Sequence, residues 1–357
     1  MRIAFVTATP QTVQSGSGTY VASSGLARAL ETLGVHVRLI HPPKPTGLLG
    51  FTVNRLRFNR RLRADTFGRD DVVVGWDMDG YRLSGNLRVP FVAYVNGVLA
   101  DEARFERGFV GASMRLQAQA ERRSVRSANR VLTLSRYSRQ RLADLYDIPR
   151  ASIGVVPPAF DTDRWQATRA SVEPPPSRRP LVLSVARLYP RKDLSTLVRA
   201  ALPLRERIPE VQVRIVGDGP ERRSLAGLVH SLGLEQTIDM TGQLDFVDLV
   251  ASYATCDVFC LPSRQEGFGL VFLEAMASGK PVVACRETAA EELVEDGSNG
   301  LLVPPRDPGA LASALDRLLG DAELRAHLGA AGPPRADQYS PERVARRFLS
   351  EIETVAP

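Results

Sequence analysis

The sequence predicts an α/β protein made of two doubly wound, Rossmann-like halves, and three observations carry that expectation. Short apolar runs alternate with helix-length amphipathic stretches from the first residues onward. A proline-rich break interrupts the alternation between Val172 and Pro180. The same alternation then restarts and continues nearly to the last residue.

Arg2–Thr7 reads as a buried strand, too short and too soon interrupted for a signal peptide. Tyr20, Ser24, Ala27 and Leu30 lie on related faces of a helix closed by Gly34, and Val35–Ile40 is a second strand. Further strands are expected at Val72–Val74, Phe91–Val95, Arg130–Leu134 and Gly154–Val156. Val172 to Pro180 holds four prolines in nine residues, which the interior of a strand or helix does not tolerate. Residues 171–180 are therefore expected to link a first domain, 1–170, to a second, 181–340. In the second, strands are expected at Leu181–Ala186, Val211–Val216, Thr237–Thr241, Val258–Leu261, Pro281–Ala284 and Gly300–Leu302. Helices are expected near 193–207, 220–232, 245–254, 270–278, 288–295 and 308–319. A last helix within 341–357 is expected to pack back on the first domain. Ligands of such sheets bind beyond the carboxyl ends of the strands, so both halves are expected to face one central cleft.

Composition narrows the function classes. The chain has 357 residues, 44% of them hydrophobic, which suits two globular domains. No apolar run approaches the roughly 18 residues needed to span a bilayer. Cys256, Cys260 and Cys285 lie in apolar, strand-like contexts, as buried thiols of a reducing cytoplasm would. The four histidines are scattered, and no metal cluster is visible. The net charge of +6 hides an asymmetry: residues 1–165 carry 24 Lys+Arg against 14 Asp+Glu, while the remainder is net acidic. Arginines cluster at Arg55, Arg57, Arg60, Arg61 and Arg63, and again at Arg122, Arg123, Arg126 and Arg130. Such clusters make either a solvated helix face or a surface for an anionic partner, a membrane included. Nucleic acid is not expected, because no aromatics interleave the basic runs.

The segment Ser263 to Gly279 carries the strongest chemistry. Gly267 and Gly269 flank Phe268 and allow a tight turn with close backbone approach to a ligand. A helix beginning at Leu270 and Val271 offers free N–H groups to phosphate. Glu266 precedes the turn, and Glu274 lies one turn into the helix, in reach of a ribose. Arg187 and Lys192, five apart across a strand-to-helix turn, can both point positive charge at an anion.

This block resembles the donor-site motif of the retaining GT-B glycosyltransferases of family four, and the resemblance runs along nearly the whole chain. Gly16-Ser-Gly18-Thr is similar to the glycine loop after the first strand. Val155 to Trp165 is similar to the segment entering the linker, and Ser184 to Asp193 to the element with Arg187 and Lys192. Ile215-Val-Gly217-Asp-Gly219-Pro and Thr241-Gly242 resemble the loops that frame the nucleotide base. The resemblance implies transfer, with retention, of a hexose or N-acetylhexosamine from a nucleotide-sugar to a hydroxyl of a small-molecule, glycan or lipid-linked acceptor. UDP is favoured over GDP, no cofactor or metal is implied, and the protein is expected to be cytoplasmic, as a monomer or homodimer. Glu266 would hold the sugar and Gly18 would lie under the phosphates. Asp77-Met-Asp79 has the spelling of a metal-binding element but is expected to be an ordinary loop. Asn96 stands where many relatives have a histidine, so an amide would meet the sugar or acceptor there. Pro158-Ala159 and Ala186 are milder departures.

Two other classes compete. A dinucleotide oxidoreductase would need a third spaced glycine after Gly18 and an acidic residue ending the second strand, and neither is present. A sugar-binding module would not need cations aimed at a leaving group.

Overall fold

The computed structural model describes residues 1–10, 18–42, 50–83, 85–172 and 179–355. Gly16 and Ser17 of the glycine loop, and residues 173–178 of the proline-rich segment, lie outside them. The chain forms two compact units: Met1–Ala159 with Tyr339–Pro357, and Phe160–Gln338. The helix Thr162–Ala170, expected in the first domain, belongs to the second unit. Trp165 explains the difference, since its indole is buried there and its Nε1–H donates to Ser278 Oγ at 2.9 Å.

The first unit is built on a parallel sheet of six strands: β1 (Arg2–Val6), β2 (His36–Ile40), β3 (Val72–Trp76), β4 (Phe91–Val95), β5 (Arg130–Thr133) and β6 (Ile153–Val155), in the order β2-β1-β3-β4-β5-β6. The second has β7 (Leu181–Val185), β8 (Gln212–Val216), β9 (Ile238–Gly242), β10 (Val258–Leu261), β11 (Val282–Cys285) and β12 (Gly300–Val303), in the order β12-β11-β10-β7-β8-β9. Strands covered on both faces read as unbroken apolar runs, and β3, β4, β10 and β11 are buried throughout. Strand order reverses between β1 and β3 in one sheet and between β7 and β10 in the other. Those are the switch points where the loops diverge and leave room for a ligand.

Two helix expectations change. The stretch expected as helix at 288–295 is a short 3-10 turn, Ala289–Glu292, capped by Thr288. Residues 321–336 form helices, Ala322–Ala330 and Gly332–Ala336, where none was expected. The last helix, Pro341–Ile352, buries Val344, Ala345, Phe348 and Ile352 in the first unit against the helix Gly18–Thr32. Phe348 meets Phe5 and Tyr94 at ring distances of 6.2 Å, and Arg130 pairs with Glu351. No helix among the described residues is long and apolar enough to cross a membrane.

Candidate active site

In the second unit the site is assembled where β7 and β10 diverge. The chain leaving β7 is pinned to the loop after β8: Ala186 N–H donates to Val216 O, and Leu188 N–H to Asp218 O, each at 3.0 Å. This contact requires glycine at two places. A Cβ on Gly217, whose φ is +129°, would lie 1.9 Å from Ala186 O, and one on Gly219 would lie 2.7 Å from Leu188 N. Arg187 projects from this loop into solvent, its guanidinium 5.7 Å from the Tyr189 ring centroid. A 3-10 turn, Pro190–Lys192, then leads to Asp193 in the left-handed region, which accepts from the Ser195 and Thr196 hydroxyls before the helix Leu194–Arg207 begins.

The loop after β10 is tied to that turn by one main-chain bond, Arg264 N–H to Arg191 O at 2.8 Å. It brings Lys192 to Glu266. The ammonium lies 2.5 Å from Glu266 Oε2, and Ser263 Oγ donates to the same oxygen at 3.3 Å. Both charged residues are buried, Lys192 at 8% and Glu266 at 7% exposure. Burial alone would push the Glu266 carboxyl up, but the charges of Lys192 and Arg191 and the bonds from Lys192 and Ser263 outweigh it. The group is held below its ordinary value. The Lys192 charge is therefore already shared with Glu266, while Arg187 stands apart and solvated.

Gly269 caps the helix Leu270–Ala277 at φ +96°, and a Cβ there would lie 2.4 Å from Phe272 Cδ2. Phe268 is buried before the turn, and Leu270 and Val271 are half-buried in its first turn. Gly269 has no side chain to cap this helix, and Phe272 N–H turns back to Gly269 O at 3.0 Å; a helix end of this kind suits an anion. Glu274, one turn on, accepts from Tyr253 Oη at 2.7 Å. Burial pushes its carboxyl up to about 7 against the pull of that phenol. Gln265 Oε1 and Ser184 Oγ are buried with no partner among the described residues. Neither position announces itself in the sequence, because each is an ordinary polar residue beside apolar ones.

Thr241 is not in this cluster. Half-buried at the end of β9, it hydrogen-bonds Gly242 O at 3.1 Å and lines a separate groove of about 580 Å³ with Arg214, Asp239, Asp248 and Ser252. That groove also takes in Leu181 and Gln212, the first residues of β7 and β8, so it opens toward the amino ends of those strands. Gly242 reaches the loop after β8 instead, through Gly217 N–H to Gly242 O at 2.7 Å.

The first unit carries its own polar centre at the β1/β3 switch point. Arg55, grouped by sequence with the exposed arginines, is 5% exposed and grips Asp79 through Nε at 2.9 Å and Nη2 at 3.0 Å. Asp79 also accepts from Asn59 Nδ2 and from Ala8 N–H. Asp77, with φ +56°, accepts from Asn96 N–H at 2.9 Å and Thr19 Oγ1 at 3.1 Å. The Asp77-Met-Asp79 turn is thus a buried junction whose carboxylates are held by protein donors. Asn96 is 7% exposed, and both its side-chain polar atoms are buried with no partner among the described residues. A buried amide in that state is costly unless a ligand meets it. Gly18 opens the helix Gly18–Thr32, and no atom among the described residues lies within 4 Å of where its Cβ would be.

Residues 15–164 match the Glycosyltransferase Family 4 model, and residues 166–335 match Glycosyl transferases group 1. Over 300 residues the chain is 30% identical to an alpha-D-kanosaminyltransferase of Streptomyces kanamyceticus, covering 82% of this chain and 78% of that protein. The chain belongs to the family 4 glycosyltransferases. It is 37% identical over 236 residues to a GDP-mannose-dependent alpha-(1-6)-phosphatidylinositol monomannoside mannosyltransferase of Mycolicibacterium smegmatis, a match spanning 62% of each chain. A sucrose-phosphate synthase structure from Thermosynechococcus elongatus superposes with a TM-score of 0.83 at 23% identity, over 99% of this chain and 98% of that one. That likeness shows the GT-B fold.

Proposed function

We propose that the chain is a retaining glycosyltransferase that moves a hexose or N-acetylhexosamine from a nucleotide-sugar to an acceptor hydroxyl without a divalent metal. The observation that carries this reading is the buried Lys192–Glu266 pair, set beside an uncapped helix N-terminus at the switch point of the second sheet.

The donor diphosphate docks at the Leu270–Ala277 N-terminus and at Arg187, and Glu274 takes the ribose hydroxyls. Glu266 accepts from the sugar hydroxyls, while Lys192 holds that carboxylate ionised and brings positive charge to the phosphate. As the anomeric carbon–oxygen bond breaks, negative charge grows on the diphosphate. A cation at about 4 Å is worth on the order of 4 kcal/mol at an effective dielectric near 20. The acceptor oxygen attacks on the face the diphosphate leaves, and its proton passes to the departing phosphate oxygen. Asn96 supplies an amide to the sugar or acceptor.

The resemblance favours UDP, and the mycobacterial relative's name puts GDP-mannose beside it. The test is a nucleotide-sugar hydrolysis panel with and without chelator, followed by acceptor screening. Cleavage of one donor, undiminished by EDTA, is the expected result. Thermal stabilisation by NAD alone would overturn the assignment, and donor binding without turnover over many acceptors would favour a sugar-binding module.

A further inference from the structure

The two arginine clusters, far apart in sequence, are brought together by the first unit. The helix Gly50–Arg61 carries Arg57, Arg60 and Arg61, and the helix Gly108–Ser127 carries Arg115, Arg122, Arg123 and Arg126. Thr52 locks one helix to the other, with its Oγ1 2.6 Å from Ser113 Oγ and accepting from Gln117 Nε2 at 2.9 Å. Arg55 reaches across to Gln117 Oε1 from the same side.

The pair is one-signed on its outside. All seven of those arginines are exposed, with Arg126 paired to Asp147. Glu121 is the single acid in either helix, and it is fully buried, its carboxyl held by Tyr146 Oη and Leu99 N–H. The pair is also apolar at one end. Of the eight large apolar side chains exposed among the described residues, four belong to these helices: Phe109 at 88%, Val110 at 51%, Leu116 at 49% and Val53 at 36%. Phe109 and Leu116 are seven residues apart, so they share a helix face and form a patch rather than scattered contacts.

We propose that this helix pair docks the protein on an anionic lipid surface. Phe109, Val110 and Leu116 enter the headgroup boundary, and the arginines around them meet lipid phosphates. Charge alone would suit any polyanion, but apolar anchors inside an arginine field match an interface that is oily within and negative at its edge. The surface stands independently of the donor site, so its failure would leave the proposed reaction untouched.

The experiment is sedimentation of the full chain with vesicles of phosphatidylcholine, or of phosphatidylcholine mixed with phosphatidylglycerol. Binding to the mixed vesicles alone, weakened by salt, is the expected result. Each arginine near an anionic surface contributes about fivefold in affinity. The triple variant Arg115→Glu, Arg122→Glu, Arg123→Glu should therefore lose about a hundredfold or more. Phe109→Asp should lose more than about tenfold by removing the apolar anchor, with its melting temperature and donor hydrolysis unchanged because the side chain is exposed. No binding by the wild type would overturn the proposal, as would equal binding to both vesicle types. Phe109→Asp binding like the wild type would also overturn it, leaving only a polyanion surface. A change of oligomeric state in Phe109→Asp without vesicle binding would assign the patch to protein contact instead.

Discussion

Lys192 and Glu266 meet across 74 positions because the residues beside them are already joined: the Arg264 N–H donates to Arg191 O. A buried pair of this kind is costly to halve, since the survivor keeps its charge without its counter-charge. Lys192→Ala is expected to destabilise the second unit by about 3–5 kcal/mol, and Glu266→Gln by less, because the amide still accepts from the ammonium. Glu266→Gln should lower kcat by about 10²-fold or more while the fold persists. Denaturant unfolding beside donor-hydrolysis kinetics checks both. A Glu266→Gln variant with intact kcat would remove this carboxylate from the site.

The pair also sets a pH dependence. The Glu266 carboxyl lies below its ordinary value when folded, so its contribution is present at neutral pH and is lost as pH falls through the acid range below that value. The stability difference between wild type and Glu266→Gln should be constant near neutrality and shrink on acidification.

Glu274 behaves in the opposite sense. Its folded carboxyl is pushed up to about 7, so the folded state holds the proton more tightly than the unfolded chain. That contribution is full at pH below the ordinary carboxylate range and is lost as pH rises through about 7. Glu274→Gln should flatten the melting temperature across this window. If the ionised form takes the ribose hydroxyls, the donor KM of the wild type should rise as pH drops below about 7, and that of Glu274→Gln should not.

Asn96 offers a test in which stability and activity separate. Both its amide atoms are buried and unmet by described residues, and such a group costs about 1–3 kcal/mol. Asn96→Leu is therefore expected to hold or raise the melting temperature while impairing transfer. A stable variant with unchanged kinetic constants would show that no substrate meets the amide.

Much of this architecture was legible beforehand, and the reasons are physical. Strands such as Val258–Leu261 are buried on both faces, so they appear as pure apolar runs whose bounds fall almost where the hydrogen bonds end. The turn Glu266 to Gly269 was legible because glycine at φ +96° leaves a spelling in the sequence. Arg55 was not legible, since burial depends on Asp79 and Gln117, residues 24 and 62 positions away. One arginine among five looks like its neighbours. The Lys192–Glu266 contact was hidden for a related reason: each residue on its own reads as aimed at a ligand, and only the Arg264–Arg191 bond shows them aimed at each other.

Gly217 gives the firmest backbone prediction. With φ at +129° and Ala186 O where a Cβ would be, Gly217→Ala should cost more than about 2 kcal/mol and displace the Arg187 loop. Circular dichroism melts and donor KM check it together. A neutral Gly217→Ala would mean that the two loops are not in contact.

The return of Pro341–Ile352 to the first unit makes that unit discontinuous in the chain. In chain order, everything the second unit needs has been made by Gln338, whereas the first still lacks Phe348 and Ile352 against its sheet and helix. The half made first is thus the half completed last. A chain truncated before residue 341 and released should hold a protease-resistant second unit beside a first unit that is still open to cleavage.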